Sequence, residues 1–407
     1  MFINMKARYG YMKTVLVCAN DFYPNNVFGL GDSVYDVVEK LKYRFHFIVI
    51  TTNKKDAVYD YPVIFLDEHL DNLLMNGRNL SFKVYKSYDN VIAWNQALFI
   101  RTIQYLSQHH IKPDVIMNHS WVTWNLSYEL KKKYHIPIIN VIHFYEKQYE
   151  YCGTIQSIYH DSIVQTDHNM FINADRNVVL NNNMLNSIIF NYGLIHTDNF
   201  ITIPHSLNIH AVVQPQAIDK NNLKFLYVGR LSTEKGIKEL LQAFNILTQK
   251  HSNITLTIVG SGILESDLLN KNQNPKINFL GRLTHELLYE EYNKANVVIS
   301  PSITETFGLV LLEALYFERA IITTSGLTVS DIIPDTVALT VPLKIQDNCV
   351  SLSVEELLNK IETLIIEPER ILQMSKASKR FFTQMNYKTC EYDSYEHLIK
   401  EISIEKQ

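Results

Sequence analysis

The stretch Val297 to Ala314, VVISPSITETFGLVLLEA, places a buried strand, a polar turn and a helix in immediate succession. The run VVIS is typical of a strand in a parallel sheet, and Pro301 to Thr306 cannot continue that strand. Helix formers with an apolar stripe of helical period then run from Gly308 to Glu318. A strand, a loop and the start of a helix therefore follow in order, with polar side chains on the loop between them.

Two glutamates flank the start of that helix. Glu305 lies on the entry loop, and Glu313, eight positions later, is expected about two turns into the helix, so both carboxylates can face one ligand. Backbone N–H groups at a helix start lack partners and form an anion site, which suits a ligand with hydroxyl groups at both ends and phosphate in the middle. The amides concerned are those of Phe307, Gly308, Leu309 and Val310.

The composition is that of a globular protein with more than one domain. The 407 residues predict two domains of about 200 residues each. The formal net charge of −4 argues against nucleic acid as the main partner. Four cysteines without CxxC spacing suggest neither a zinc site nor a disulfide framework, and a reducing cytosol is the expected location. They are Cys18, Cys152, Cys349 and Cys390.

Nothing in the sequence indicates a membrane-spanning segment or a signal peptide, because no apolar run reaches about 18 residues. Lys131 to Lys133 form a compact basic run at the end of an expected helix, where cations complement the helix dipole. Such a run is more often a solvated surface than a lipid contact, so peripheral contact with the inner face of a membrane stays open without being indicated. Residues 1–11 are interpreted as a ragged extension.

A strand from Thr14 to Ala19 leads through a turn to a predicted glycine loop. Gly29 and Gly31 are expected to precede a helix capped by Asp32 or Ser33, and such a loop lets backbone approach a ligand closely. Two glycines near a turn are also common without a function.

His143 ends the run IPIINVIH, which predicts a parallel strand. Open α/β sheets bind ligands at the carboxyl ends of their strands, so His143 is the first-ranked histidine of the chain. A histidine at a strand end is, as an alternative, only a polar cap.

Two cations follow the buried strand LKFLYVG: Arg230 and Lys235 lie on the loop before the helix IKELLQAFNIL. A phosphate leaving group gains negative charge during a reaction, and fixed cations in a partly dry cleft stabilise that charge without reorganisation. Farther on, Gly260 opens a Gly-Ser-Gly turn after a strand. The third glycine position of a dinucleotide fingerprint is Glu265, so that fingerprint is not indicated.

The pair Glu305 and Glu313, with seven residues between them that include Phe307-Gly308, resembles the signature of retaining glycosyltransferases of family 4, also called glycosyl transferases group 1. The segment YVGRLSTEKGIKELLQAF, residues 227–244, resembles the most recognisable segment of that family. The chain departs from the family pattern after His143, where Phe144 replaces Asp, and at Pro204 to Asn208, which lacks the usual Gly. A later loop carries Asp331 in place of Glu and two extra residues.

The resemblance implies the α/β fold called GT-B, with two Rossmann-like doubly wound domains facing across a cleft. It implies an acceptor-binding domain at 12–206, a nucleotide-sugar-binding domain at 207–387 and a C-terminal helix at 388–407 that packs back on the first domain.

The resemblance also implies roles for individual residues. Glu305 holds the donor sugar, Arg230 and Lys235 hold the diphosphate, and Glu313 holds the ribose. His143 faces the sugar near the anomeric carbon. The glycine loops border the ligands, and Arg282 with Leu283 lies against the base.

The expected activity is hexosyl transfer with retention of configuration from a nucleotide-diphosphate sugar to an acceptor hydroxyl on a glycan, a lipid-linked or a small molecule, in polysaccharide or glycoconjugate biosynthesis. No cofactor is expected besides the nucleotide sugar as co-substrate. The chain has no Asp-x-Asp pair, so no metal is expected to bridge the diphosphate. The alternatives are a GT-B enzyme of another class, such as a nucleotide-sugar epimerase or a phosphorylase, and a non-catalytic protein that binds sugar nucleotides.

Overall fold

The structure is a computed structural model that describes residues 12–20, 22, 29–51, 58–65, 88–152, 159–207, 209, 211–214, 218–325, 333–346, 349–385 and 390–404. The chain forms two compact units. The first unit comprises Met1–Glu146, Ser157–Ser206 and Thr389–Gln407, and the second comprises Lys147–Gln156 and Leu207–Lys388.

The first unit is built on a parallel sheet in which seven strands are described, in the order β3-β2-β1-β4-β5-β6-β7. The order reverses between β1 and β4, which is the doubly wound arrangement with a ligand crevice at the carboxyl ends of the strands. The strands are β1 (Thr14–Cys18), β2 (His46–Ile50), β3 (Val63–Ile64), β4 (Val115–Asn118), β5 (Ile138–Val141), β6 (Arg176–Val179) and β7 (Phe200–Thr202).

The second unit repeats this plan with six described parallel strands in the order β10-β9-β8-β11-β12-β13, and its order reverses between β8 and β11. A short antiparallel hairpin, β14-β15, follows the sheet. The strands are β8 (Leu223–Val228), β9 (Ile254–Val259), β10 (Ile277–Gly281), β11 (Val297–Ser300), β12 (Ala320–Thr324), β13 (Ala338–Val341), β14 (Leu343–Gln346) and β15 (Cys349–Leu352).

The helices of both units follow the apolar stripes of the sequence. They are α1 (Gly29–Leu41), α2 (Tyr88–Gln108), α3 (Trp124–Tyr134), α4 (His160–Asn173), α5 (Asn182–Tyr192), α6 (Ile237–Lys250), α7 (Glu265–Lys271), α8 (His285–Lys294), α9 (Leu309–Tyr316), α10 (Val354–Ile366), α11 (Pro368–Met385) and α12 (Cys390–Ile404). Short 3-10 turns lie at Trp121–Thr123, Glu146–Cys152 and Thr233–Lys235. None of the helices in the described ranges is both long and apolar enough to span a bilayer.

The fold class predicted from the sequence is confirmed: two doubly wound α/β sheets of the GT-B kind. The Ser353 hydroxyl caps α10 by accepting a hydrogen bond from the Glu356 amide. Asn181, which carried no predicted role, caps α5 by accepting from the Met184 amide.

A ladder of three buried asparagines runs across the first sheet. The Asn118 side chain donates to Asn140 Oδ1 at 2.9 Å, and the Asn140 side chain donates to Asn177 Oδ1 at 2.9 Å. These residues also face one another in the strand register, as Asn118 with Asn140 and Asn140 with Asn177. A one-residue slip would leave buried amides without partners, so the ladder fixes the register of the strand ends that follow.

The last helix, α12, completes the core of the first unit. Tyr395, Leu398, Ile399 and Ile402 are almost fully buried in one cluster with side chains of β1, β2 and α1. At 25 cal/mol per Å², burying each such side chain contributes about 1.5–3 kcal/mol. The predicted helix near Cys390 to Ile404 is therefore an integral part of this unit.

The predicted glycine loop is wrong in one respect. Gly29 and Gly31 lie inside the first turn of α1 and not in a loop before it, so neither Asp32 nor Ser33 is the cap. Helix formation can extend over these glycines because the first four amides of a helix have no intrahelical partner to lose. The ragged extension at 1–11 and the loop around Asp331 lie outside the described residues.

Candidate functional site

Loop 229–236, which follows β8, is held against the end of β11 by a glycine that no other residue can replace. Gly236 adopts φ +65°, and a Cβ added there would lie 2.0 Å from the carbonyl oxygen of Pro301. Both the left-handed conformation and the close approach therefore require glycine. The loop also carries a 3-10 turn, Thr233–Lys235, which ends at this residue.

The loop after β11 is tied down on both sides. The Ile303 amide donates to the carbonyl oxygen of Glu234 at 2.8 Å, and the Thr324 hydroxyl donates to the carbonyl oxygen of Ser302 at 2.5 Å. Ser302, Ile303 and Thr304 are all buried. The residues directly before Glu305 are therefore anchored by hydrogen bonds and burial. Glu305 itself lies where the strand order of the second sheet reverses, which is where doubly wound folds bind ligands.

Lys235 and Glu305 meet at this edge. The Lys235 Nζ atom lies 2.6 Å from Glu305 Oε2, and the two side chains are 16% and 22% exposed. Burial alone would raise the pKa of Glu305, but the charge and hydrogen bond of Lys235 and the Thr306 amide hold that pKa below its usual value. The site therefore contains a fixed carboxylate paired with a fixed ammonium.

Arg230 is braced by a buried carboxylate that the sequence analysis did not single out. Its Nη2 atom lies 3.3 Å from Glu234 Oε1, and the Ser232 hydroxyl donates to the same oxygen at 2.6 Å. The Tyr227 hydroxyl donates to the carbonyl oxygen of Arg230 at 2.7 Å. The Arg230 side chain is 34% exposed and the Glu234 side chain only 10%, so a nearly buried carboxylate supports a half-exposed cation. In the sequence, the place of Glu234 directly before Lys235 on this loop was the available signal that Glu234 belongs to the site.

The start of α9 carries the predicted amides. Gly308 caps the helix in the left-handed conformation, with φ +83°, and a Cβ there would lie 3.3 Å from Leu311 Cδ1. Within the part of the chain that the structure describes, the amides of Gly308, Leu309 and Val310 have no hydrogen-bond partner, and the carbonyl oxygen of Gly308 accepts from the Leu311 amide. Phe307, the residue before them, is buried. An anion at this end would meet open donors.

Glu313 lies nearer the start of α9 than the sequence indicated. It is the fifth residue of the helix, about one turn in and not two, because α9 begins at Leu309 and the preceding residues form a loop. The Tyr292 hydroxyl donates to Glu313 Oε2 at 2.5 Å. Tyr292 is fully buried, and burial followed by the negative charge of Glu313 raises the pKa of its hydroxyl. Tyr292 therefore fixes one oxygen of Glu313, a contact that no sequence pattern indicated.

The second glycine turn packs against loop 229–236. Gly260 has φ +134°, and a Cβ there would lie 1.9 Å from the carbonyl oxygen of Gly229. The Leu231 amide donates to the carbonyl oxygen of Ser261 at 3.0 Å, and Arg282 Nη2 lies 3.3 Å from the Ser261 hydroxyl. Arg282 is exposed and Leu283 is partly buried. These residues thus lie at the end of β9 and β10, beside the Arg230 loop.

In the first unit, His143 follows β5 by two residues, at the carboxyl end of the sheet as predicted. Its Nε2 atom lies 3.1 Å from His119 Nδ1, and its ring stacks on that of His205 with centroids 5.4 Å apart. Burial, followed by the charges of His205 and His119, holds the pKa of His143 well below its usual value. A functional role of His143, Gly29 and Gly31, which belong to this unit, stays a prediction.

Other features of the chain lie apart from this site. A cavity of about 280 Å³ opens in the second unit at the start of β8 and β9, lined by Asn222, Lys224, Thr255 and Asn278 among others. It is therefore at the other end of the strands from Arg230. The basic run on α3 is partly neutralised, since Lys131 Nζ lies 2.5 Å from Asp175 and Lys132 Nζ lies 2.5 Å from Glu129.

The description "Glycosyl transferases group 1" belongs to a family model that matches residues 209–381, the segment that carries Arg230, Lys235, Glu305 and Glu313. This segment belongs to glycosyl transferases group 1. The predicted family is thereby confirmed, and the matched residues contain strands β8 to β13 of the second sheet and the hairpin β14-β15.

Proteins similar to this chain include a glycogen synthase from Mycobacterium tuberculosis, 28% identical over 212 residues that make up 50% of each chain. A capsular polysaccharide biosynthesis glycosyltransferase, CapM of Staphylococcus aureus, is 37% identical over 110 residues, 26% of this chain and 28% of CapM. The chain thus spans half or less of the length of these relatives.

Two solved structures share the fold over nearly the whole chain. Sucrose-phosphate synthase from Thermosynechococcus elongatus has a TM-score of 0.75 at 18% identity and covers 97% of this chain and 99% of its own. HepE of Anabaena, solved in complex with UDP and glucose, has a TM-score of 0.69 at 15% identity and covers 95% of this chain and 99% of its own. At these identities the likeness shows the GT-B fold alone.

Proposed function

We propose that the chain is a glycosyltransferase that moves a hexosyl group from a nucleotide-diphosphate sugar to an acceptor hydroxyl with retention of anomeric configuration. The observation that carries the proposal is the Lys235–Glu305 pair, which joins the loop of Arg230 to the loop that precedes α9 and its open amides, in a segment of glycosyl transferases group 1. Relatives named as glycosyltransferases of polysaccharide synthesis, and a structural neighbour that holds UDP and glucose, support this class of donor.

In the proposed reaction, the bond between the anomeric carbon and the diphosphate oxygen breaks while the acceptor oxygen attacks from the same face. The acceptor proton passes to the leaving phosphate, so no protein nucleophile is needed. Arg230, Lys235 and the amides of Gly308 to Val310 stabilise the negative charge on the diphosphate, since fixed donors require no reorganisation. These protein groups replace a bridging metal in the proposal.

The carboxylates position the donor. Glu305 accepts hydrogen bonds from the sugar hydroxyls while it remains paired with the Lys235 ammonium. Glu313, which accepts a hydrogen bond from Tyr292, also accepts hydrogen bonds from the ribose hydroxyls. Lys235 already has a carboxylate partner before the donor arrives, so it is oriented in advance and moves little on binding. The acceptor is a hydroxyl of a glycan, a lipid-linked or a small molecule, and the first unit is its proposed site.

The test begins with a panel of nucleotide sugars and the melting temperature of the chain. A donor at about one hundred times its dissociation constant stabilises the folded state by about 2.7 kcal/mol. The selected donor is then incubated with candidate acceptors in excess EDTA, and the anomeric configuration of the product is read by proton NMR. Arg230→Ala, Lys235→Ala and Glu305→Ala should each abolish transfer, and Lys238→Ala, an exposed cation on α6, should not.

Other outcomes separate the alternatives. Nucleoside diphosphate released only with an acceptor supports transfer, whereas an epimerised donor or phosphate-dependent cleavage would identify another reaction class. Stabilisation by a donor without turnover under any condition would identify a non-catalytic binding protein. Unchanged transfer in all three alanine variants would refute the proposed site.

A further inference from the structure

One face of the second sheet is polar along the strands β8, β9 and β10. The side chains in line with Leu223, Ile254 and Ile277 on these strands lie in the apolar core of the unit. The side chains between them point to the opposite face, because strand residues alternate. Parallel sheets are usually covered by apolar helix surfaces on both faces, so packing alone does not account for a polar face. Its polar side chains are exposed or only partly buried, and they are Lys224, Thr255, Thr257 and Asn278.

The strand register brings these polar residues side by side. Lys224 lies opposite Thr255, and Asn278 lies opposite Thr257. Neighbouring strands are about 4.8 Å apart, so the side chains of each pair stand within reach of one small ligand. Leu226, which lies opposite Thr257 on the other side, adds a buried apolar side chain to the row. The polar face is therefore built on three adjacent strands and not on loops.

The cavity of about 280 Å³ in the second unit, which we call the α8 cavity, lies between this row and the end of α8. Its volume is close to the lower limit of about 300 Å³ for small-molecule pockets, so it holds one small molecule. Glu291 and Lys294 line it and neutralise each other, since Glu291 Oε1 lies 2.7 Å from Lys294 Nζ. The Lys224 side chain forms no ion pair or hydrogen bond with any part of the chain that the structure describes. The cavity therefore carries one positive charge that the described chain does not balance.

The uncharged polar groups of the α8 cavity are open as well. The hydroxyls of Thr255 and Thr257 and the side-chain amide of Asn278 have no hydrogen-bond partner in the described ranges. Hydroxyl and amide groups both donate and accept hydrogen bonds, whereas an ionised phosphate or carboxylate only accepts them. Leu226 and Ala295 provide an apolar surface for the C–H face of a sugar ring. This lining therefore matches a ligand with several hydroxyl groups better than it matches a simple anion.

We propose that the α8 cavity is a second carbohydrate-binding site, which holds one sugar residue of a glycan and prefers a sugar that bears a carboxylate. The Lys224 ammonium pairs with that carboxylate, and the three uncharged polar side chains exchange hydrogen bonds with the hydroxyls. The site is separate from the proposed donor site, since Lys224 is near the amino end of β8 and Arg230 follows its carboxyl end. A glycan is therefore retained on the second unit whether the donor site is empty or occupied.

The experiment titrates the full chain with D-glucuronate, D-glucose and inorganic phosphate and follows the methyl NMR signals of Leu226 and Ala295, which line the cavity. Glucuronate should bind about tenfold more tightly than glucose, because hydrogen bonds between charged groups are stronger than neutral ones. Lys224→Met should remove this preference and leave glucose binding almost unchanged. Thr257→Val, which removes a hydroxyl at nearly constant shape, should weaken the binding of both sugars by about fivefold.

Two matched variants serve as controls. Lys271→Met removes an exposed lysine of α7 that is paired with Asp267, and Thr363→Val removes an exposed hydroxyl of α10. Neither residue lines the α8 cavity, so neither variant should change the affinity for glucuronate or for glucose.

Several results would overturn the proposal. Phosphate that binds as tightly as glucuronate would identify a simple anion site. Sugars that leave the Leu226 and Ala295 signals unmoved, or affinities that Lys224→Met and Thr257→Val do not alter, would exclude a sugar from the cavity. The outcome is independent of transfer, because a chain that binds glucuronate here but transfers no sugar refutes the proposed function and leaves this site intact.

Discussion

Lys235 and Glu305, seventy positions apart in the sequence, form an ion pair of 2.6 Å at the reversal point of the second sheet. The pair depends on two backbone contacts, since Gly236 lets its loop approach Pro301 and Glu234 accepts from the Ile303 amide. The geometry of the candidate site therefore follows from main-chain packing as much as from the charged side chains themselves.

Lys235→Met should reduce kcat/KM for the donor by about 100- to 1,000-fold, the range found on removing one fixed donor from an oxyanion site. Methionine has a side chain of about the same length, so a lower kcat/KM reflects the absence of the ammonium group. Steady-state kinetics of nucleoside diphosphate release measure the effect. Lys238→Met, three residues on and exposed, should retain wild-type kinetics, and an equal loss in both variants would contradict the assignment.

Gly236→Ala and Gly281→Ala form a matched pair, because both glycines have nearly the same positive φ, +65° and +66°. A Cβ at Gly281 meets nothing within 4 Å, so the change should cost only the left-handed penalty of about 1–2 kcal/mol. At Gly236 the Cβ would clash with Pro301, and the cost should reach about 3–5 kcal/mol. Urea unfolding of the two variants provides the comparison, and equal losses would show that the loop relaxes freely.

Asp167 should make the first unit less stable as the pH rises. Its side chain is fully buried on α4, Oδ1 has no hydrogen-bond partner among the described residues, and burial raises its pKa from 3.8 to about 7. Between about pH 4 and 7 the folded chain then holds a proton that the unfolded chain has lost, so this group costs up to about 4 kcal/mol by pH 7. Asp167→Asn abolishes the titration, and its stability relative to wild type should therefore increase across this window.

The control for that prediction is Asp161→Asn, an exposed carboxylate on the same helix. Its stability should follow that of wild type at every pH. Urea unfolding at pH 4.5 and pH 7.5 measures the three proteins under the same conditions. A constant difference between Asp167→Asn and wild type would show that Asp167 is ionised in the folded chain throughout.

Tyr292→Phe should raise the KM for the donor by about tenfold and change kcat little, since one hydrogen bond to a charged group is worth about 1.5–3 kcal/mol. The hydroxyl acts through Glu313, so the effect should vanish in a Glu313→Gln background. A double-mutant cycle of donor kinetics measures this coupling. Additive effects would mean that Tyr292 acts independently of Glu313.

The sequence predicted elements whose signals are local. Buried runs predicted the strands that precede Arg230 and Glu305. Side chains at strand ends were correctly expected at the carboxyl edges of the sheets, because parallel topology places them there. The predicted start of α1 was wrong, because glycines are taken to indicate a loop although the first turn of a helix tolerates them.

Contacts between distant segments could not be predicted in the same way. Glu234 with Ile303, Tyr292 with Glu313, and His205 with Glu391 join residues that only the sheet order brings together. The last pair spans 186 positions. A single sequence shows the polarity of such residues but not their partners. The role of a buried polar group can be assigned only when its hydrogen-bond partner is known.

The place of α12 has a consequence for synthesis on the ribosome. The second unit is almost continuous in the chain and can close its core once Lys388 has emerged, whereas the first unit must wait for Tyr395, Leu398, Ile399 and Ile402. The apolar side chains of β1 and α1, made first, therefore stay unsealed until α12 has emerged. We expect the second unit to close its core before the first, although its sheet is made later.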